Sequence, residues 1–155
     1  MDALLEQLRG AYKRREAERI GDLRIPGWDR PSLVLRIQPL DHPTIRRIRA
    51  RIPTVRGKVE RIAEAEVQAN AALVAAATVG VMVGSGGPEV PLTEGVIWDL
   101  AADLAEQKGM NEPQGPTDVI RTLAFRDGDI LAMATRVGEH SGYAREEIDA
   151  EAEGE

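Results

Sequence analysis

The sequence contains no cysteine. This excludes a disulfide framework, a zinc site built on thiolates and a cysteine nucleophile. Proteins of a reducing cytoplasm do not depend on disulfides, so we expect this chain in that compartment.

Aromatic residues are also scarce, at 3% of the chain. A chain of 155 residues can bury a hydrophobic core. Here that core must be built mainly from alanine and branched aliphatic side chains, which favour closely packed helices. The aromatic residues are Tyr12, Trp28, Trp98, Phe125 and Tyr143.

Long apolar runs are absent as well. The longest, residues 71–83, spans 13 residues and includes Thr78 and Gly80, whereas a membrane-spanning helix needs roughly 20. The first residues include acidic side chains and lack the apolar core of a signal peptide. We therefore predict a protein that neither spans a membrane nor is exported.

Charge is distributed unevenly along the chain. Residues 1–61 hold 15 Lys and Arg against 8 Asp and Glu, a balance of +7. Residues 62–155 hold 5 against 18, a balance of −13. Such asymmetry indicates a basic surface and an acidic end that meet different partners, or two halves that attract each other.

Hydrophobic periodicity predicts a mainly α fold: a small domain of about five to six helices. A short strand is expected near 33–37, where apolar and polar residues alternate between two prolines. A minor hairpin near 80–92 is a further candidate. Residues 69–77 are apolar nearly all round, which is typical of a central buried helix.

Three regions follow from this pattern. Residues 1–22 are predicted as an N-terminal helical arm, and residues 23–140 as the helical domain. Residues 141–155 are rich in Asp and Glu and poor in large apolar side chains. We expect this acidic tail to be disordered.

No motif indicates catalysis. His42 and His140 have no second histidine at ligand spacing. The glycine-rich segment 84–87 is followed by Pro88 and Glu89 rather than by the Gly-Lys-Ser/Thr of a phosphate-binding loop. We therefore expect no enzyme activity and no catalytic, cofactor-binding or metal-binding residues.

The sequence does contain one cluster of cations that suits phosphate binding. Base stacking would need exposed rings, and none occurs between Trp28 and Trp98. A nucleic-acid-binding regulator that uses the basic segment from Arg46 to Arg61 is therefore kept as an alternative function, although nucleic acid is not the partner we favour. The basic patch consists of Arg46, Arg47, Arg49, Arg51 and Arg56.

Several segments, in order along most of the chain, resemble the tail assembly chaperones of long-tailed phages and prophages of actinobacteria. A Pro-Gly-Trp turn and a short strand lie within 23–40. An Asn-Ala helix leads into an apolar segment ending at Val83, and Pro91-Leu92 precedes another helix. A helix pair joined at Phe125-Arg126-Asp127 follows, and the end is acidic and closes on Gly-Glu. The chain departs from the family at 140–142, where a tryptophan is expected.

The resemblance implies a non-enzymatic protein of the host cell cytoplasm that is missing from the mature virion. Its partners would be the tape measure protein, whose hydrophobic helices it keeps in solution, and the tail-tube protein, which it recruits. Self-association is left open. A structural head–tail connector is a second alternative.

We hypothesise that two helix faces form the groove for the tape measure protein. The competing interpretation is that the same residues belong to the core. They are Ile45, Ile48, Ile52, Val96, Leu100 and Leu104.

Overall fold

The computed structural model describes residues 2–51, 59–84 and 86–142. Ile52, Arg56 and the acidic tail from residue 143 lie outside these ranges. The described residues form six helices and four strands, which follow one another along the chain as α1 Asp2–Glu18, β1 Gly21–Asp29, β2 Ser32–Ile37, α2 His42–Arg49, α3 Val59–Ala77, β3 Thr78–Val83, β4 Glu89–Val90, α4 Gly95–Gln107, α5 Pro116–Leu123 and α6 Asp127–His140.

The predicted mainly α fold is wrong, because the four strands form one antiparallel sheet in the order β1-β2-β3-β4. The protein has an α+β fold. The strand expected near 33–37 and the hairpin expected near 80–92 are present, but they belong to this sheet. Leu35 of β2 pairs with Leu23 of β1 on one side and with Val81 of β3 on the other.

The sequence pattern did not predict strand β1, because β1 contains Pro26 and Gly27, which normally indicate a turn. Two features let it pair nonetheless. It is an edge strand, where a proline lacking an N–H costs no ladder hydrogen bond. Its register with β2 also shifts between Arg24 and Asp29, so the Pro-Gly segment falls in an irregular part of the ladder.

One face of the sheet is covered by helices. Leu23, Ile25, Leu33, Leu35 and Ile37 alternate with more exposed residues along β1 and β2 and join the hydrophobic core. Helix α3 packs against α5 and α6, and α6 also contacts β1. The alternation of buried and exposed residues is what a sheet with one open face requires.

Helix α3 is the centre of this core, as predicted. Its second half, from Ala69 to Ala75, is buried throughout. The helix ends at Ala77 and β3 begins at the next residue. Two hydrogen bonds satisfy carbonyls at its end: Thr78 Oγ1 donates to Val74 O (2.7 Å), and Gln38 N donates to Ala77 O (2.8 Å).

The N-terminal arm predicted for residues 1–22 overlaps the sheet, because Gly21 and Asp22 belong to β1. Helix α1 itself covers Asp2–Glu18, within the predicted arm. None of the substantial contacts between described elements involves α1. Helix α1 therefore makes no substantial packing contact with the described core.

Candidate functional site

Four residues from distant parts of the chain meet at the described surface; we call them the Trp28 cluster and define it as Gly27, Trp28, Lys108 and Phe125. Trp28 is half-buried near the end of β1 and packs against the core. Its indole Nε1–H donates a hydrogen bond to the carbonyl of Leu123 at 2.9 Å. The bond joins residues 95 positions apart. The indole therefore anchors the end of β1 to the end of α5.

Phe125 lies on top of this anchor. Its ring centroid is 5.7 Å from that of Trp28, with the rings tilted by 44°. Gly27 lies beneath the same ring: a Cβ at this position would be 2.5 Å from Phe125 Cδ2, and the backbone φ is +92°. Both observations require glycine at residue 27. The ring is nevertheless 57% exposed, so it is fixed in place without being buried.

Lys108 completes the cluster from the end of α4. Its Nζ donates to Thr122 O at 2.6 Å and to Ala124 O at 3.1 Å. It also lies 5.9 Å from the centroid of the Phe125 ring, within the range of a cation–π contact. Together with Trp28 it satisfies the last carbonyls of α5, where the helix dipole favours a cation.

The described residues of the hypothesised groove differ in exposure. Ile45 and Ile48 are each 4% exposed and belong to the core. On α4, Leu100 and Leu104 are half-buried against the core, and Val96 is 59% exposed. Ile52 lies outside the described residues. Thus Val96 is the member that offers open surface, and a partner-binding role for the α4 residues stays a prediction.

The described arginines of the basic patch also differ in exposure. Arg46, Arg47 and Arg51 are exposed and Arg49 is half-buried, while Arg56 lies outside the described residues. Arg46 Nη2 lies 2.8 Å from His42 Nε2, one turn earlier on α2. The exposed guanidinium groups project from a short helix at the surface, so the patch is accessible to a polyanion.

Helix α2 is capped by Asp41. The Asp41 carboxylate accepts a hydrogen bond from Thr44 N at 2.9 Å. Hydrogen bonds from the Thr44 side chain and backbone hold the pKa of Asp41 below its ordinary value, and nearby Arg47 lowers this pKa further. The cap fixes the start of the helix that carries the basic patch.

His140 has a structural position. Its Nε2 lies 2.5 Å from the carbonyl oxygen of Arg19, and its ring contacts Gly21 so closely that a Cβ there would be 2.8 Å from Cε1. The histidine thus joins the end of α6 to the start of β1. Among the described residues, no three His, Asp or Glu side chains are grouped as they would be around a metal ion.

Fold and surface together define a small α+β domain with an exposed aromatic cluster, a basic helix and an unpacked N-terminal helix. No protein-family model matches the chain, and no curated protein or solved structure shows significant similarity to it. Within the described residues, no helix has both the length and the apolar character needed to cross a membrane.

Sequence reasoning named both Trp28 and Phe125 but did not bring them together, and it missed Lys108. Trp28 and Phe125 are 97 positions apart in the sequence. Local periodicity carries no information about such pairs. The one local signal was the glycine before Trp28, which suggests a position where another group comes close to the backbone.

Proposed function

We propose that this protein is a phage tail assembly chaperone, which binds the tape measure protein and recruits tail-tube subunits to it. One observation carries the proposal. The Pro-Gly-Trp turn and the Phe125 junction are two of the segments in which the sequence resembles that family, and they pack against each other in the Trp28 cluster. The two segments therefore belong to one surface.

The chemistry of that surface suits a chaperone for apolar helices. An aromatic ring that is 57% exposed and held in place loses little conformational freedom on binding. Aromatic side chains are enriched at the centres of protein interfaces for this reason. Lys108 beside the ring adds a cation that can reach a carboxylate on the partner.

The test is co-expression with the tape measure protein encoded by the same phage or prophage. We expect the intact chain to keep that protein in the soluble fraction and Phe125→Ser to reduce its soluble amount several-fold. Val79→Ser is the matched control, since Val79 is 47% exposed and lies at the opposite end of the sheet from Trp28.

Two outcomes would count against the proposal. If the tape measure protein is as insoluble with the intact chain as without it, the chaperone function is wrong. If both serine variants act alike, the Trp28 cluster is not the contact surface. Because Phe125 is exposed, circular dichroism should show that Phe125→Ser keeps the fold.

The alternative function, a nucleic-acid-binding regulator, is favoured by the exposed cations of α2. Gel shifts of the intact chain on duplex DNA at two salt concentrations test it. Binding through phosphates must weaken steeply as salt rises, and replacing Arg46 and Arg47 with Gln should reduce the slope by about one per lost phosphate contact. Absence of binding at low salt excludes this alternative.

A further inference from the structure

Helix α1 presents large apolar side chains to solvent. Leu4 is 61% exposed, Leu5 48%, Leu8 59% and Tyr12 67%. Their spacing of three and four residues places them on one stripe of the helix. Most of the stability of a helix in a protein comes from packing of its apolar face rather than from helix propensity. The stripe is therefore a surface that a partner would cover.

The charges of α1 are segregated along its length. From Asp2 to Leu8 the helix has two acidic residues and no basic one, and from Arg9 to Arg15 it has four basic residues and no acidic one. All of these charged residues are exposed.

Four of the charges lie on one flank beside the apolar stripe. Asp2, Glu6, Arg9 and Lys13 follow one another at intervals of four, three and four residues. In a single helix this flank holds two like-charge pairs at i, i+4, Asp2 with Glu6 and Arg9 with Lys13, and such pairs are unfavourable.

We propose that α1 pairs with α1 of a second copy of this chain in an antiparallel, two-fold symmetric arrangement. A two-fold axis near Leu8 brings the apolar stripes together. In an antiparallel helix pair, each flank faces the same flank of the other helix. The acidic pair of one copy then lies beside the basic pair of the other, with Asp2 next to Lys13 and Glu6 next to Arg9.

The antiparallel direction follows from this charge order. The flank reads negative, negative, positive, positive, so it is complementary to itself only when one copy is reversed. A two-fold interface requires a surface of this kind, because each residue pair occurs twice. Both like-charge pairs remain within each helix, but in the dimer each lies beside the oppositely charged pair of the other copy, which offsets its repulsion.

The interface is small, since it involves one helix from each copy. It buries less than the roughly 1,600 Å² of a standard stable interface. We therefore expect a dimer that dissociates on dilution, with a dissociation constant of about 10 to 100 μM.

The experiment uses sedimentation velocity on the full chain and two complementary variants. Asp2→Lys with Glu6→Lys makes the flank entirely basic, and Arg9→Glu with Lys13→Glu makes it entirely acidic. Each variant alone should dimerise about tenfold or more weakly than the parent, because like charges then face each other. An equimolar mixture of the two should recover association.

Arg14→Glu is the control, because Arg14 lies on the side of the helix away from the apolar stripe, and its reversal should leave dimerisation unchanged. Recovery by the mixture separates charge pairing from mere unfolding of α1.

The proposal is overturned if the parent chain stays monomeric over a concentration range of roughly a hundredfold around the expected dissociation constant. It is also overturned if the mixture associates no better than the separate variants. This outcome is independent of the tape measure experiment, which tests a different surface.

Discussion

At the scale of single residues, the Trp28 cluster is fixed by close steric and polar contacts. The Trp28 indole and the Lys108 ammonium both donate to carbonyls at the end of α5. Phe125 rests over Gly27, a residue with no side chain to displace it. The exposed ring is thus positioned by groups beneath it, so a change at Gly27 should alter the surface above.

We predict that Gly27→Ala lowers the free energy of unfolding by about 1 to 3 kcal/mol, because alanine resists a positive φ and its Cβ meets the Phe125 ring. In a Phe125→Ala background the steric part disappears. Urea denaturation of the four proteins should then give a coupling of about 0.5 kcal/mol or more.

The control for this cycle is Gly128→Ala. Gly128 lies in α6, has ordinary helical φ, and has open space where a Cβ would be. Alanine should therefore stabilise the protein slightly there, by about 0.5 to 1 kcal/mol. Purely additive effects of Gly27→Ala and Phe125→Ala would show that the ring does not rest on residue 27 in solution.

At the scale of elements, α1 and α3 differ in how much they pack against the rest of the fold. Helix α3 is held by the core, with its buried half packed against α5 and α6. On its exposed side, Arg121 of α5 pairs with Glu64 of α3 at 2.5 Å. Helix α1 has no comparable packing within the described chain, so its removal should leave the rest of the fold intact.

We predict that deleting residues 2–18 changes the free energy of unfolding by less than about 1 kcal/mol at low protein concentration, since none of the side chains of residues 2–15 is buried. Urea denaturation followed by circular dichroism measures this. Ile25→Ala is a sensitive reference, because Ile25 is fully buried and its truncation should cost about 2 to 5 kcal/mol. A large loss on deletion would mean that α1 packs onto the domain.

The helices could be predicted from the sequence because their signals are local. The stripe of Leu4, Leu5, Leu8 and Tyr12, the cap at Asp41 and the proline that opens α5 each lie within one or two turns of the helix they define. Strand β1 could not be predicted in this way. Its Pro26 and Gly27 have turn propensity, and pairing with β2 at the sheet edge overrides it.

At the scale of the whole molecule, the sheet changes how the chain is divided. The helical arm and helical domain expected from the pattern are joined through β1, which begins directly after α1 and lies at the edge of the sheet. The basic helix α2 follows β2, so the cationic surface belongs to the same domain as the core. The exposed cations, the aromatic cluster and α1 are then separate surfaces of one fold.

The sequence by itself determined the number and approximate bounds of the helices and the burial of the alanine-rich helix. These depend on periodicity, caps and composition, which act over a few residues. The tertiary structure alone decided the four-stranded sheet, the burial of Ile45 and Ile48 and the meeting of Trp28 with Phe125. Each of these depends on segments far apart in the chain, and a strand or a ring contact exists only when its distant partner is in place.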